Sequence, residues 1–146
     1  MTRAVNTALA GSGGVLQVVN GTYGTQVSTT STSFVTTGFT LSITPSSSSS
    51  KILVLGSFNG YQSAAAYVWF TVFRDATNIG NATYGFGELY GNTGDRFGQV
   101  SLNFLDSPAT TSAITYSVRF RVSSATGYMN LSTGEFSTMS LLEIAG

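Results

Sequence analysis

The sequence predicts an all-β protein: a single jelly-roll β-sandwich of about eight to ten antiparallel strands, preceded by a short N-terminal arm. Three observations predict it. Apolar and polar residues alternate with period two through much of the chain. Clusters of Ser, Thr, Asn, Asp and Gly, such as "RDATN", "GNTGD", "LDSPATTS" and "SSATG", break the alternation into short runs. No segment carries the apolar spacing of a long helix, and many short strands with almost no helix fit a sandwich or jelly roll.

The elements follow in order. Met1–Gly14 is a glycine-rich arm, and the sandwich domain is expected to span Val15–Gly146. Strands are expected at Val15–Val19, Gln26–Thr30, Phe34–Thr36, Phe39–Thr44 and Lys51–Phe58. They continue at Tyr67–Arg74, Ile79–Gly87, Phe97–Leu105, Thr115–Val122 and Ser137–Ile144, with a further short one at Tyr128–Leu131. Phe39, Leu41 and Ile43 share one face, as do Val100, Leu102 and Phe104. The clearest half-buried strand has Tyr116, Val118, Phe120 and Val122 inward and Ser117, Arg119 and Arg121 outward.

The serine run Ser46–Ser50 reads as a hairpin-like turn rather than a linker. Only a few short strands precede it, too few to bury an apolar face alone. Pro45 ends its strand, and serines favour local side-chain-to-backbone bonds.

Two strands are apolar on both faces. Ile52 and Val54 oppose Leu53 and Leu55; Val68, Phe70 and Val72 oppose Tyr67, Trp69, Thr71 and Phe73. One face belongs to the core, and the other needs cover from the protein's own loops or from another subunit. Tyr67, Trp69 and Phe73 are the candidate subunit interface.

Composition narrows the function. Charged residues make up 8% of the 146 residues, against about 25% in an average soluble protein. Six basic and six acidic residues cancel, which argues against nucleic acid and against a polybasic membrane anchor. No run approaches the ~20 apolar residues that cross a bilayer as a helix, and the N-terminus lacks the apolar core of a signal peptide. A soluble protein, not secreted by a host pathway, is expected.

Without Cys or His, the usual nucleophilic triads, zinc ligand sets and disulfides are ruled out. No catalytic residue, cofactor or metal site is expected. Two of the six acids converging as a glycosidase pair would be the exception. "GFGELYG", Gly85–Gly91, has the wrong spacing for a phosphate loop and reads as a bend or bulge. Around it, Tyr84, Phe86 and Tyr90 form a candidate surface recognition loop for a sugar or protein. The alternative is that Tyr84 and Phe86 pack in the core while the glycines permit tight bends.

The stretches "STTSTSF", "ITPSSSSSKILV", "LDSPATTSAITYSV" and the terminal "EIAG" resemble small virion structural proteins of tailed phages, notably phages of cyanobacteria and other aquatic bacteria. The likeness runs over Val15–Gly146 and is weakest across Gly60–Gly98. It implies a jelly-roll module on the particle. The strand pattern is also similar to the tumour necrosis factor and complement globular-head topology, which implies a homotrimer.

Fourteen extended residues reach at most about 50 Å, too little for a fibre shaft, so a decoration (cement) protein on the outer surface of the capsid is expected. Its partners would be itself and the major capsid protein. The arm's Arg3, Val5, Ala8 and Leu9 are the candidate capsid anchor. The alternative is a receptor- or glycan-binding knob at the end of a tail fibre or spike, with a host glycan as partner.

Overall fold

The computed structural model describes residues 14–92, 95–132 and 134–146. The proposed anchor residues Arg3, Val5, Ala8 and Leu9 lie outside them. Eleven strands are present: β1 (Val15–Tyr23), β2 (Val27–Thr29), β3 (Val35–Ile43), β4 (Lys51–Gln62), β5 (Ala66–Arg74), β6 (Thr77–Asn78), β7 (Gly87–Gly91), β8 (Arg96–Asp106), β9 (Ile114–Val122), β10 (Gly127–Met129) and β11 (Ser137–Ile144).

They form two antiparallel sheets. In the first, β8, β4, β11 and β1 lie side by side, and β10 and β2 carry the same sheet past the ends of β11 and β1. In the second, β3, β9, β5 and β7 lie side by side, with β6 also on β5. The chain therefore crosses repeatedly from one sheet to the other, as a jelly roll does.

The inner faces interdigitate. Ile52, Val54 and Phe58 from β4 meet Val68, Phe70 and Val72 from β5 and Tyr116, Val118, Phe120 and Val122 from β9, all fully buried. Period-two alternation sets this register: Ser117, Arg119 and Arg121 fall on the opposite face of β9 from the core residues.

Three expectations need correction. The serine run is a turn within the sandwich but not a hairpin, because β3 pairs with β9 while β4 pairs with β8, β10 and β11. The chain changes sheet there, and Ser46 fastens the crossing by donating from its backbone N and Oγ to Glu143 Oε1, each at 2.7 Å. Second, Ile79–Gly87 is not a strand. Asn81 Oδ1 accepts from the backbone N of Thr83 and Tyr84, which curls the chain into a turn closed by an Asn81–Gly85 bridge. Third, the following "GELYG" is no bend but β7, paired with β5 from Ala66–Gly91 to Phe70–Gly87.

The two short runs expected at Phe34–Thr36 and Phe39–Thr44 are one strand, β3. Its ladder to β9 is irregular between Thr36 and Thr40, where Gly38 takes φ = 85°.

Candidate functional site

The outer face of the second sheet gathers most of the singled-out side chains. Strand register sets them in rows: Tyr67 beside Tyr90, Arg121 beside Trp69 beside Glu88, and Arg119 beside Thr71. The β6–β7 loop lies over this face. Phe86 N donates to Phe70 O at 2.8 Å, and Thr71 Oγ1 donates to Asn78 Oδ1 at 2.6 Å. Gly85 permits the close approach. Its φ is 62°, and a Cβ there would stand 2.1 Å from Phe70 O.

Arg121 ties two loops together across Trp69. Nε and Nη2 donate to Thr83 O in the β6–β7 loop, and Nη1 donates to Thr32 O before β3 at 2.8 Å. Its guanidinium sits 4.4 Å from the Trp69 ring centroid and 5.4 Å from that of Phe34, a cation–π arrangement. The Trp69 indole N–H donates to Glu88 Oε2 at 2.6 Å.

The expected interface residues are thus largely covered by the chain itself. Trp69 is 7% exposed, beneath Arg121 and beside Tyr84, whose ring lies 6.2 Å away. Tyr67 is half-buried, stacked on Trp69 at 5.2 Å and against Tyr90 at 4.5 Å. Phe73 is half-buried under the Arg119 guanidinium at 4.0 Å.

The recognition loop divides. Tyr84 and Tyr90 are 58% and 43% exposed, whereas Phe86 turns toward the core and packs on Phe104 at 5.5 Å. Tyr84, Phe86, Gly87 and Glu88 line an open depression of about 360 Å³. A second cleft, about 400 Å³, lies between the β2–β3 and β6–β7 loops, with Phe34, Phe73, Arg119 and Arg121 among its lining residues.

The other acids are held by donors too, Glu135 Oε2 by Ser132 N at 3.3 Å. Asp106 accepts from Arg74 Nη1 at 2.7 Å and from Tyr116 Oη at 2.7 Å. Burial and that bond to Asp106 together push the Tyr116 hydroxyl's pKa upward. Glu143, flanking Ile52 on the inner face as Asp106 does on the other side, accepts from Ser46 and from Gln17 Nε2 at 2.6 Å. Burial would raise its pKa, but these bonds outweigh burial and hold it below the ordinary carboxylate value. Asp95 accepts from the Tyr61 hydroxyl, and the bond pushes that hydroxyl up to about 12. Asp75 Oδ1 accepts from Thr115 N at 3.0 Å. Among the described residues no three acids gather where a metal ion could sit.

The outer face of the first sheet holds residues that sequence reasoning did not assemble. Leu105, Leu53, Leu142 and Val18 are directly paired across β8, β4, β11 and β1, forming one aliphatic row. Leu105 is 48% exposed and Val18 58%. Eight residues further along β4, at Tyr61 rather than Leu53, the same face carries an aromatic row, Phe97–Tyr61–Tyr128. Those rings lie 4.7 and 5.6 Å apart. Between the rows run Ser57, Ser101, Thr138, Asn59 and Gln99. The signal available in the sequence was the two-faced "KILVLG"; which strands lie beside it was not readable.

No family model matches the chain, and no curated protein is found to be similar to it.

Proposed function

We propose that this protein is a non-enzymatic structural component of a phage virion: a homotrimeric decoration (cement) protein that binds the major capsid protein on the outer surface of the capsid. The observation that carries the reading is the pair of apolar rows on the outer face of the first sheet. A two-layer sandwich ordinarily wets its outer faces, and contiguous apolar rows there mark a surface for association. The resemblance of the chain to small phage virion proteins supplies the setting, and the scarcity of charge, 8% of residues, suits a surface packed against other subunits.

The interface in this reading shifts from Tyr67, Trp69 and Phe73 to Leu53, Leu105, Leu142 and Val18. The former are engaged by Arg119, Arg121, Glu88 and Tyr90 of the same chain; the latter pair with one another across the sheet, and Leu105 and Val18 stay about half exposed. A receptor- or glycan-binding knob is the second reading, favoured by the exposed Tyr84 beside Trp69 and the exposed Tyr90 beside Tyr67.

The test is occupancy on capsids that lack the native protein. Purified trimer should bind them saturably, and Leu53→Asp should abolish binding together with trimer formation. Deleting Met1–Ser12, which removes Arg3, Val5, Ala8 and Leu9, should leave the trimer intact but weaken occupancy, because three arms act together. Absence of saturable binding by wild-type trimer would refute the decoration role.

A further inference from the structure

Arg119 is the cationic side chain whose situation the fold leaves unexplained. Its neighbour on the same face, Arg121, spends three donors on Thr83 O and Thr32 O. The salt bridge found among the described residues is Arg74 with Asp106, on another part of the molecule. Arg119 has its guanidinium over Phe73, its Nε buried without a hydrogen-bond partner, and no carboxylate paired with it. Buried donors are rarely left in this state, and each asks for a reason.

Its surroundings supply one. Arg119 lines the cleft of about 400 Å³ between the two loops. The cleft's other lining residues include the aromatic Phe34 and Phe73 and the short polar Thr32, Ser33 and Asn78. A guanidinium presents a planar fork of donors that matches one carboxylate. With Arg121 already committed to backbone carbonyls and Arg119 Nε buried, the cleft offers the paired Nη groups of Arg119 as its free fork, which fits one planar carboxylate better than a phosphate that seeks donors on several sides. Hydroxyl and amide groups beside aromatic faces suit a hydroxyl-bearing ring.

Beyond Arg121 the same sheet face continues into Trp69, flanked by Tyr84 on one side at 6.2 Å and by Tyr67 on another at 5.2 Å, with Tyr90 4.5 Å beyond Tyr67. We infer that this face is a binding site for an acidic polysaccharide. Arg119 takes the carboxylate of one uronate unit in the cleft, and the exposed rings of Tyr84 and Tyr90 stack on adjacent units. The site lies on the second sheet, opposite the apolar rows of the first, so it stands whether or not the trimer does.

The chain's single tryptophan, Trp69, sits between cleft and platform and reports binding directly. Its fluorescence should be titrated with oligogalacturonate and oligo-alginate, with the carboxyl-reduced forms of both, and with poly-glutamate. Wild type should respond saturably to at least one uronate oligomer, tenfold or more tightly than to its reduced form or to poly-glutamate, and more weakly as salt rises. Arg119→Lys keeps the charge but loses the fork and should weaken binding at least tenfold. Tyr84→Ala, at an exposed position, should weaken it several-fold without changing the melting temperature. No saturable response to either uronate oligomer, equal binding of the reduced forms or of poly-glutamate, or wild-type affinity in Arg119→Lys would each overturn the proposal.

Discussion

Glu143 is fully buried at one end of the sandwich and is held ionised by donors from Ser46 and Gln17. Because those bonds keep its folded-state pKa below the ordinary 4.5, the charged form contributes stability that is fully present above that value. The contribution is lost as pH falls through the lower, folded-state value. Glu143→Gln should therefore cost about 1–3 kcal/mol at pH 7, measured by urea unfolding. The gap to wild type should narrow on acidification below pH 4.5, where wild type loses its advantage. A gap independent of pH would show that the carboxylate's charge is not what matters there. In the core, Val118→Ala and Phe120→Ala should each cost about 2–4 kcal/mol. Both side chains are fully buried, and a loss below 1 kcal/mol at both would contradict the register of β9.

Strands were legible in the sequence where one face is buried and the other wet. The alternation in Phe39–Ile43, Val100–Phe104 and Tyr116–Val122 carries through unchanged into β3, β8 and β9. The Ile79–Gly87 segment misled because Ile79, Tyr84 and Phe86 mimic a strand's apolar spacing. The side chains of Asn78 and Asn81 bond to nearby backbone instead, N–H groups of Gly80, Thr83 and Tyr84 among them, and that local chemistry wins over the pattern. A second case is the junction of β10 and β11. Asn130, at φ = 54°, donates to Tyr23 O at 2.7 Å and accepts from Ser137 Oγ at 2.9 Å. Nothing in "YMNLS" announces that role, because its partners lie more than a hundred residues away in the chain for Tyr23. The aromatic members of the candidate site were readable one by one. Their meeting with Arg119 and Arg121 was not, since it depends on β9 pairing with β5. The β6–β7 loop offers a direct check. Gly85→Ala meets both a left-handed φ and the Phe70 carbonyl, and should cost at least about 1–2 kcal/mol. Its Trp69 emission should shift to the red as the loop lifts away from β5. An unchanged melting temperature and spectrum would mean that the loop does not rest on β5 as described.

At the scale of the whole molecule, the two sheets differ in what they present. The second sheet covers Trp69 and Phe73 on its outer face with its own arginines and leaves Tyr84 and Tyr90 exposed. The first leaves Val18, Leu142, Leu53 and Leu105 in a row with Leu55 close by, 37% exposed. In the proposed reading that row of four aliphatic side chains is where a second copy docks, and the phage-decoration role depends on it. Sedimentation equilibrium tests that dependence most directly. Wild type should give a mass near three times the 15.2 kDa chain, and Leu53→Asp should give a folded species of one chain's mass with an unchanged circular dichroism spectrum. A wild-type protein that remains a stable monomer at high concentration, or a Leu53→Asp variant that remains trimeric, would contradict the account.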